Sequence, residues 1–204
     1  MIVLSHRGFG VDPDEKNSLI AFERSIASGF GTETDIRDRD GVLVVSHDPA
    51  ENRAINWSDL LDLFEGSGLP LAVNVKADGL SSMVASSLME RDVDAFMFDM
   101  SGPETVRYAR AGLPYFTRHS DVECTPILYE GAIGVWLDSF GPEWFDLKVI
   151  ERHLDLGKKV CLVSSELHGR DPEELWEMLA PCKDWDGLMI CTDLPVQAAS
   201  RLSS

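Results

Sequence analysis

Glu33 and Asp35 stand one residue apart in the stretch Thr32-Glu33-Thr34-Asp35-Ile36-Arg37. The stretch reads as a strand, and alternate residues of a strand share a face, so both carboxylates point the same way. Neighbouring carboxylates repel. A hard divalent cation such as Mg²⁺ or Ca²⁺, which takes oxygen ligands, removes that cost. Asp40-Gly41 is a turn signal, and the apolar run Val42-Leu43-Val44-Val45 then delivers His47 and Asp48. A candidate metal site and a histidine able to titrate near neutral pH therefore lie close together in the chain. The same residues also fit a solvated acidic hairpin with a surface histidine, and the stretch alone does not choose.

The elements that must position these groups follow a strand–helix rhythm. Ile2-Val3-Leu4-Ser5 reads as a buried strand ending at His6-Arg7-Gly8. Asn17 or Ser18 caps a helix that stops at Gly29. Further strands are expected over 71–76, 95–99, 115–118, 133–138, 160–164 and 188–191. Helices are expected over 58–64, 81–89, 103–111, 142–156, 171–179 and 196–202. The stretch 124–130 carries no clear preference. Eight core strands, most followed by a helix and most continuously apolar, predict one compact (β/α)₈ TIM barrel domain over 1–204. An open doubly wound sheet is the alternative.

A barrel places its working residues at the C-terminal ends of its strands. His6, Glu33 with Asp35, Asn74 with Lys76, Asp99, Arg118, Asp138, Glu166 and Thr192 with Asp193 all follow apolar strand stretches. Glu123 lies in a loop nearby in sequence. Trp136 shares strand parity with Asp138 and suits either the core or stacking on a substrate. Asp99, Arg118, Glu123, Asp138 and Glu166 fit loop or helix-capping roles equally well. His119, His153 and His168 read as loop or helix-surface residues.

Composition narrows the partners. The 204 residues are 44% hydrophobic and 26% charged, with a net charge of -17. Such acidity disfavours nucleic acid and anionic membrane surfaces, yet leaves room for a small anion held by local cations. No apolar run is long enough for a membrane span, and the N-terminal Met1-Ile2-Val3-Leu4 lacks the features of a signal peptide, so a cytoplasmic location is expected. Cys124, Cys161, Cys182 and Cys191 have no zinc-like spacing, and Cys161 and Cys191 read as buried thiols. Nothing in the sequence speaks to oligomeric state.

Four pieces in order resemble the glycerophosphodiester phosphodiesterase family, a group of (β/α)₈ barrels: His6-Arg7-Gly8, Lys16-Asn17-Ser18, Glu33-Thr34-Asp35 and His47-Asp48. Asp186-Gly187 and Thr192-Asp193-Leu194-Pro195 resemble that family's last strand and its ending. The resemblance implies a metal-dependent phosphodiesterase of glycerophosphodiester, and hence lipid, metabolism. It implies His6 and His47 as acid and base, Arg7 and Lys76 as phosphate ligands, and Glu33 and Asp35 as ligands of Mg²⁺ or Ca²⁺. Two departures stand out. A segment that follows His-Asp in the family is largely missing, and Asn74-Val75-Lys76 stands where the family has Glu-x-Lys. Asn74 thus replaces a metal-binding carboxylate, and Glu123, Glu166 or Asp99 would have to supply the missing charge. A non-catalytic barrel that binds a phosphate-bearing ligand, and a lyase forming a cyclic phosphate, are the competing functions.

Overall fold

The computed structural model describes residues 1–51, 54–89 and 91–202. It is a mixed α/β fold with a central sheet, in which strands and helices alternate. The elements are β1 (Ile2–His6), α1 (Leu19–Ala27), β2 (Gly31–Arg39), β3 (Val42–Val45), β4 (Ile55–Asn56), α2 (Trp57–Phe64), β5 (Leu71–Val75), α3 (Ser81–Leu88) and β6 (Ala95–Phe98). They continue with α4 (Gly102–Arg110), β7 (Phe116–His119), β8 (Gly134–Leu137), α5 (Leu147–Asp155), β9 (Lys159–Val163), α6 (Glu173–Leu179), β10 (Leu188–Thr192) and α7 (Pro195–Leu202). The chain forms two compact units, Ser5–Tyr115 and Phe116–Ser204 with Met1–Leu4.

In the Ser5–Tyr115 unit, β2 is the hub. It pairs antiparallel with β3 through the Asp40-Gly41 turn, where both residues have positive φ (52° and 79°) as a two-residue hairpin turn demands. On its other side it pairs parallel with β5, setting Glu33 opposite Ala72 and Asp35 opposite Asn74. Next to β5 comes β6, also parallel, with a single further bridge from Met97 to Tyr115. Phe22, Ile36, Leu60, Phe64, Val73 and Met97 pack as the buried core between these strands and their helices. The Ser18 side chain caps α1 by accepting from the Ala21 N–H, which settles the choice between Asn17 and Ser18.

In the other unit, β7, β8, β9 and β10 pair parallel in sequence order. Their apolar runs are buried throughout, which explains why no alternating pattern marks them. Two expectations are corrected here. The helix expected over 142–156 starts only at Leu147, because Asp146 accepts from the Lys148 and Val149 N–H groups and so caps it. Trp144, expected inside that helix, instead donates its indole N–H to the Asp138 carbonyl. The uncertain stretch 124–130 ends in a 3₁₀ turn, Tyr129–Gly131. Cys161 and Cys191 are buried as expected, Cys182 is buried as well, and Cys124 is exposed.

Gly134 opens β8 face-on to Phe116, and a Cβ built there would lie 2.3 Å from the ring. Phe116 is buried and cannot retreat without disturbing the sheet. Gly134→Ala should therefore destabilise the protein by about 1–3 kcal/mol, the usual cost of overpacking. Denaturant unfolding measures it; a loss below about 0.5 kcal/mol, the range of surface changes, would mean the ring has room to move.

Candidate functional site

Asp35 is the fixed point of the site. It is fully buried on β2, and three groups converge on its carboxylate. Arg7 Nε lies 3.0 Å from Oδ2, Lys76 Nζ 3.2 Å from Oδ1, and Asn17 donates Nδ2–H to Oδ2 at 2.9 Å. Each comes from the end of an element: Arg7 follows β1, Lys76 follows β5, and Asn17 precedes α1. Arg7 and Asn17 hold positive φ (57° and 58°), a conformation that costs non-glycine residues free energy and is maintained by surrounding contacts. Gly8 completes the turn with φ 85°; a Cβ there would sit 2.8 Å from the Ala21 Cβ, so the loop can lie against α1 only with glycine.

Glu33, two residues earlier on the same face, is almost fully buried. It accepts from the Arg7 backbone N–H at 3.1 Å, and His6 Nε2 lies 3.9 Å from its Oε2. Burial pushes its carboxyl well above the usual carboxylate range, and the negative charge of Asp35 adds to this, while Arg7 and Lys76 oppose it. A carboxyl held this way is relieved by a proton or by a cation.

Asn74, paired in register with Asp35, donates Nδ2–H to Asp99 Oδ2 at 3.1 Å. Its Oδ1 is buried without a hydrogen bond, and Asp35 Oδ1 likewise makes none, with the Lys76 ammonium 3.2 Å away. Two such oxygens beside the buried Glu33 carboxyl fit a hard divalent cation by their chemistry. Among the described residues, however, no group of three or more His, Cys, Asp or Glu converges as a metal cage.

His47 stands at the end of β3 with its side chain 42% exposed and Nδ1 3.1 Å from Asp48 Oδ1. A cleft of roughly 560 Å³ lies beside it, and Arg7, Lys16, Asn17 and Ser46 share its walls. Lys16 Nζ lies 3.4 Å from His6 Nδ1. The structure thus gathers His6, Arg7, Glu33, Asp35, Asn74, Lys76 and Asp99 through direct contacts, and sets His47 on a cleft that Arg7 also lines. Asn17 and Lys16 were not foreseen as site residues. Their presence in the second motif was the available signal, but capping explained Asn17 too readily.

The remaining candidates belong to the other unit. Arg118 forms ion pairs with Asp138 and Glu123, and His168 Nε2 lies 2.7 Å from Asp138 Oδ1. Glu166 ties two strands together by accepting from Ser164, Thr192 and the Asp193 N–H. Trp136 is buried. The surface reading of His153 is overturned, because it is only 5% exposed. The Tyr129 hydroxyl lies 2.8 Å from its Nδ1, and His119 Nδ1 lies 3.0 Å from its Nε2. His119 is likewise drawn into this interior chain, and His168 into the Asp138 network.

No known protein-family profile and no curated protein sequence matches this chain. Solved structures do. A phosphodiesterase from Oleispira antarctica, in complex with the product sn-glycerol-3-phosphate, superposes with a TM-score of 0.71 at 14% identity, covering 100% of this chain and 97% of its own. A Ca²⁺-dependent phosphatidylinositol-specific phospholipase C from Streptomyces antibioticus gives 0.55 at 9% identity over 97% and 95%. Dihydropteroate synthase from Thermus thermophilus gives 0.51 at 14% over 98% and 91%. The chain therefore shares its fold with these enzymes, a phosphodiesterase and a phospholipase C among them.

Proposed function

We propose that this protein is a compact (β/α)₈ phosphodiesterase that hydrolyses a small glycerophosphodiester-like substrate to an alcohol and a phosphomonoester. The observation that carries the reading is the convergence of Arg7, Lys76 and His6 on the buried pair Glu33 and Asp35. A structure built only to fold gains little from five ionisable side chains at one set of strand ends. The fold shared with a phosphodiesterase that holds sn-glycerol-3-phosphate supports the same reading.

Cleaving the ester needs charge relief on the phosphoryl oxygens, an activated water and a proton for the departing alkoxide. Arg7 offers a planar fork and Lys76 a point charge to the phosphoryl oxygens. His6 and His47 exchange the protons, one activating water and the other protonating the alkoxide. A Mg²⁺ or Ca²⁺ ion held by Glu33, Asp35 and Asn74 Oδ1 supplies Lewis acidity and a template when bound. Asp35 orients Arg7 and Lys76 by charge, and Asn17 fixes Asp35. The neutral Asn74 favours one second reading, a barrel that binds a phosphate-bearing ligand without cleaving it.

Incubation with glycerophosphodiesters in ¹⁸O-labelled water, with and without chelator, tests the proposal. Hydrolysis puts one labelled oxygen into the phosphomonoester, and chelation should stop it. A cyclic phosphate without label would point to a lyase. Tight binding of glycerol phosphate with no turnover of any diester would leave the binding reading in its place.

A further inference from the structure

Asn74 near the end of β5 and Asp99 just beyond β6 are joined side chain to side chain next to the acidic pair of β2. An amide can offer either its NH₂ or its oxygen to a neighbour, whereas a carboxylate only accepts, so the contact at 3.1 Å fixes Nδ2 on Asp99. The strand order is β2, β5, β6, with Asp99 just beyond β6 and Asp35 on β2. With Nδ2 engaged by Asp99, Oδ1 is left over on a residue paired in register with Asp35 of β2. That oxygen is buried with no hydrogen bond, on a residue only 8% exposed. A buried carbonyl oxygen without a donor costs free energy, and a fold retains one where something else uses it. Asp99 holds a left-handed backbone, φ 63°, which for a non-glycine residue is a strained way to leave a strand.

We propose that Asp99 is a positioning residue which locks the Asn74 amide with its oxygen turned inward as a neutral cation ligand. Its own negative charge then serves from one residue further out. The third carboxylate of the site has been displaced rather than lost. The inference rests on the metal reading above and adds to it a residue that never touches the ion. Hydrogen-bonded partners behind metal ligands typically contribute 10- to 100-fold in affinity, by fixing orientation and donor strength.

Calorimetric titration of the purified protein with Ca²⁺, and separately Mg²⁺, provides the test. Asp99→Gly preserves the left-handed backbone, φ 63°, which glycine adopts freely, and removes both the charge and the acceptor of the Asn74 amide. It should weaken cation binding about 10- to 100-fold. The exchange of both residues, Asn74→Asp with Asp99→Asn, returns a carboxylate to the inner position and should recover most of the affinity while keeping a hydrogen bond between the two strands. Circular dichroism melting of each variant without metal confirms that the fold is retained. If wild type binds the cation and Asp99→Gly binds it equally well, Asp99 has no such role, and the metal reading survives. Failure of the exchange to recover affinity in a folded protein also overturns the assignment. If wild type binds neither cation, both readings fall together.

Discussion

His6→Ala and His47→Ala should each lower kcat by roughly two to four orders of magnitude, about 3–5 kcal/mol in transition-state stabilisation. The size follows from the proposed role, since a positioned acid or base contributes about that much. His6 lies between the Glu33 carboxylate and the Lys16 ammonium, with an 18% exposed side chain, and His47 is held by Asp48 on an open cleft. Neither side chain belongs to the packed interior, so the melting temperature should move by only a few degrees. Steady-state kinetics on the hydrolysed diester, with a melting curve for each variant, separates the two effects. Near-full activity in His6→Ala or His47→Ala would remove that histidine from the mechanism.

Acid should unfold this protein earlier than its carboxylates alone would require. His153 is buried between Tyr129 and His119, and burial, with the nearby His119 and Arg152, lowers its pKa to about 4. Burial also lowers that of His119, against a backbone hydrogen bond at Cys124. In the unfolded chain a histidine binds its proton near pH 6.5. Between about pH 6.5 and 4 the unfolded state therefore holds more protons, and stability falls as the pH falls. Above that window the contribution is fully present, and below it the loss is complete. The loss from His153 should reach on the order of 2–3 kcal/mol. Denaturant unfolding at pH 7.5 and pH 4.5 reads it as the difference between wild type and His153→Phe, since the carboxylates are common to both. Equal pH dependence in the two proteins would show that His153 accepts its proton without unfolding.

Much of the fold could be read from the sequence because buried parallel strands are written as short apolar runs. The starts of α5 and α1 were harder for opposite reasons. Pro142 suits a first helical turn, but Asp146 is the better cap, and capping energy decided the boundary. Asn17 and Ser18 both cap well; only the demand of the buried Asp35 for a donor separates them. His6, Arg7, Glu33, Asp35, Asn74 and Lys76 could be singled out because they occupy motifs or strand positions of fixed parity, whereas Lys16 and Asn17 read as a loop and a cap. His153 could not be, since one polar position in a short helix looks alike whether it meets water or a tyrosine hydroxyl. Asp99 could be flagged as a strand-end acid, but its partner could not, because strand order is a property of the folded sheet.

The parallel ladder between β2 and β5 bears on how such a chain diverges. Five residue pairs, from Thr32 with Leu71 to Ile36 with Val75, join the strand bearing the acidic pair to the strand bearing Asn74. Main-chain hydrogen bonds of this kind do not depend on which side chain points into the mouth. A substitution at position 74 can therefore be tried by drift with little penalty in folding, while a neighbour such as Asp99 adjusts afterwards. Position 74 is thus a place where the chemistry of the mouth can change while the folded sheet persists.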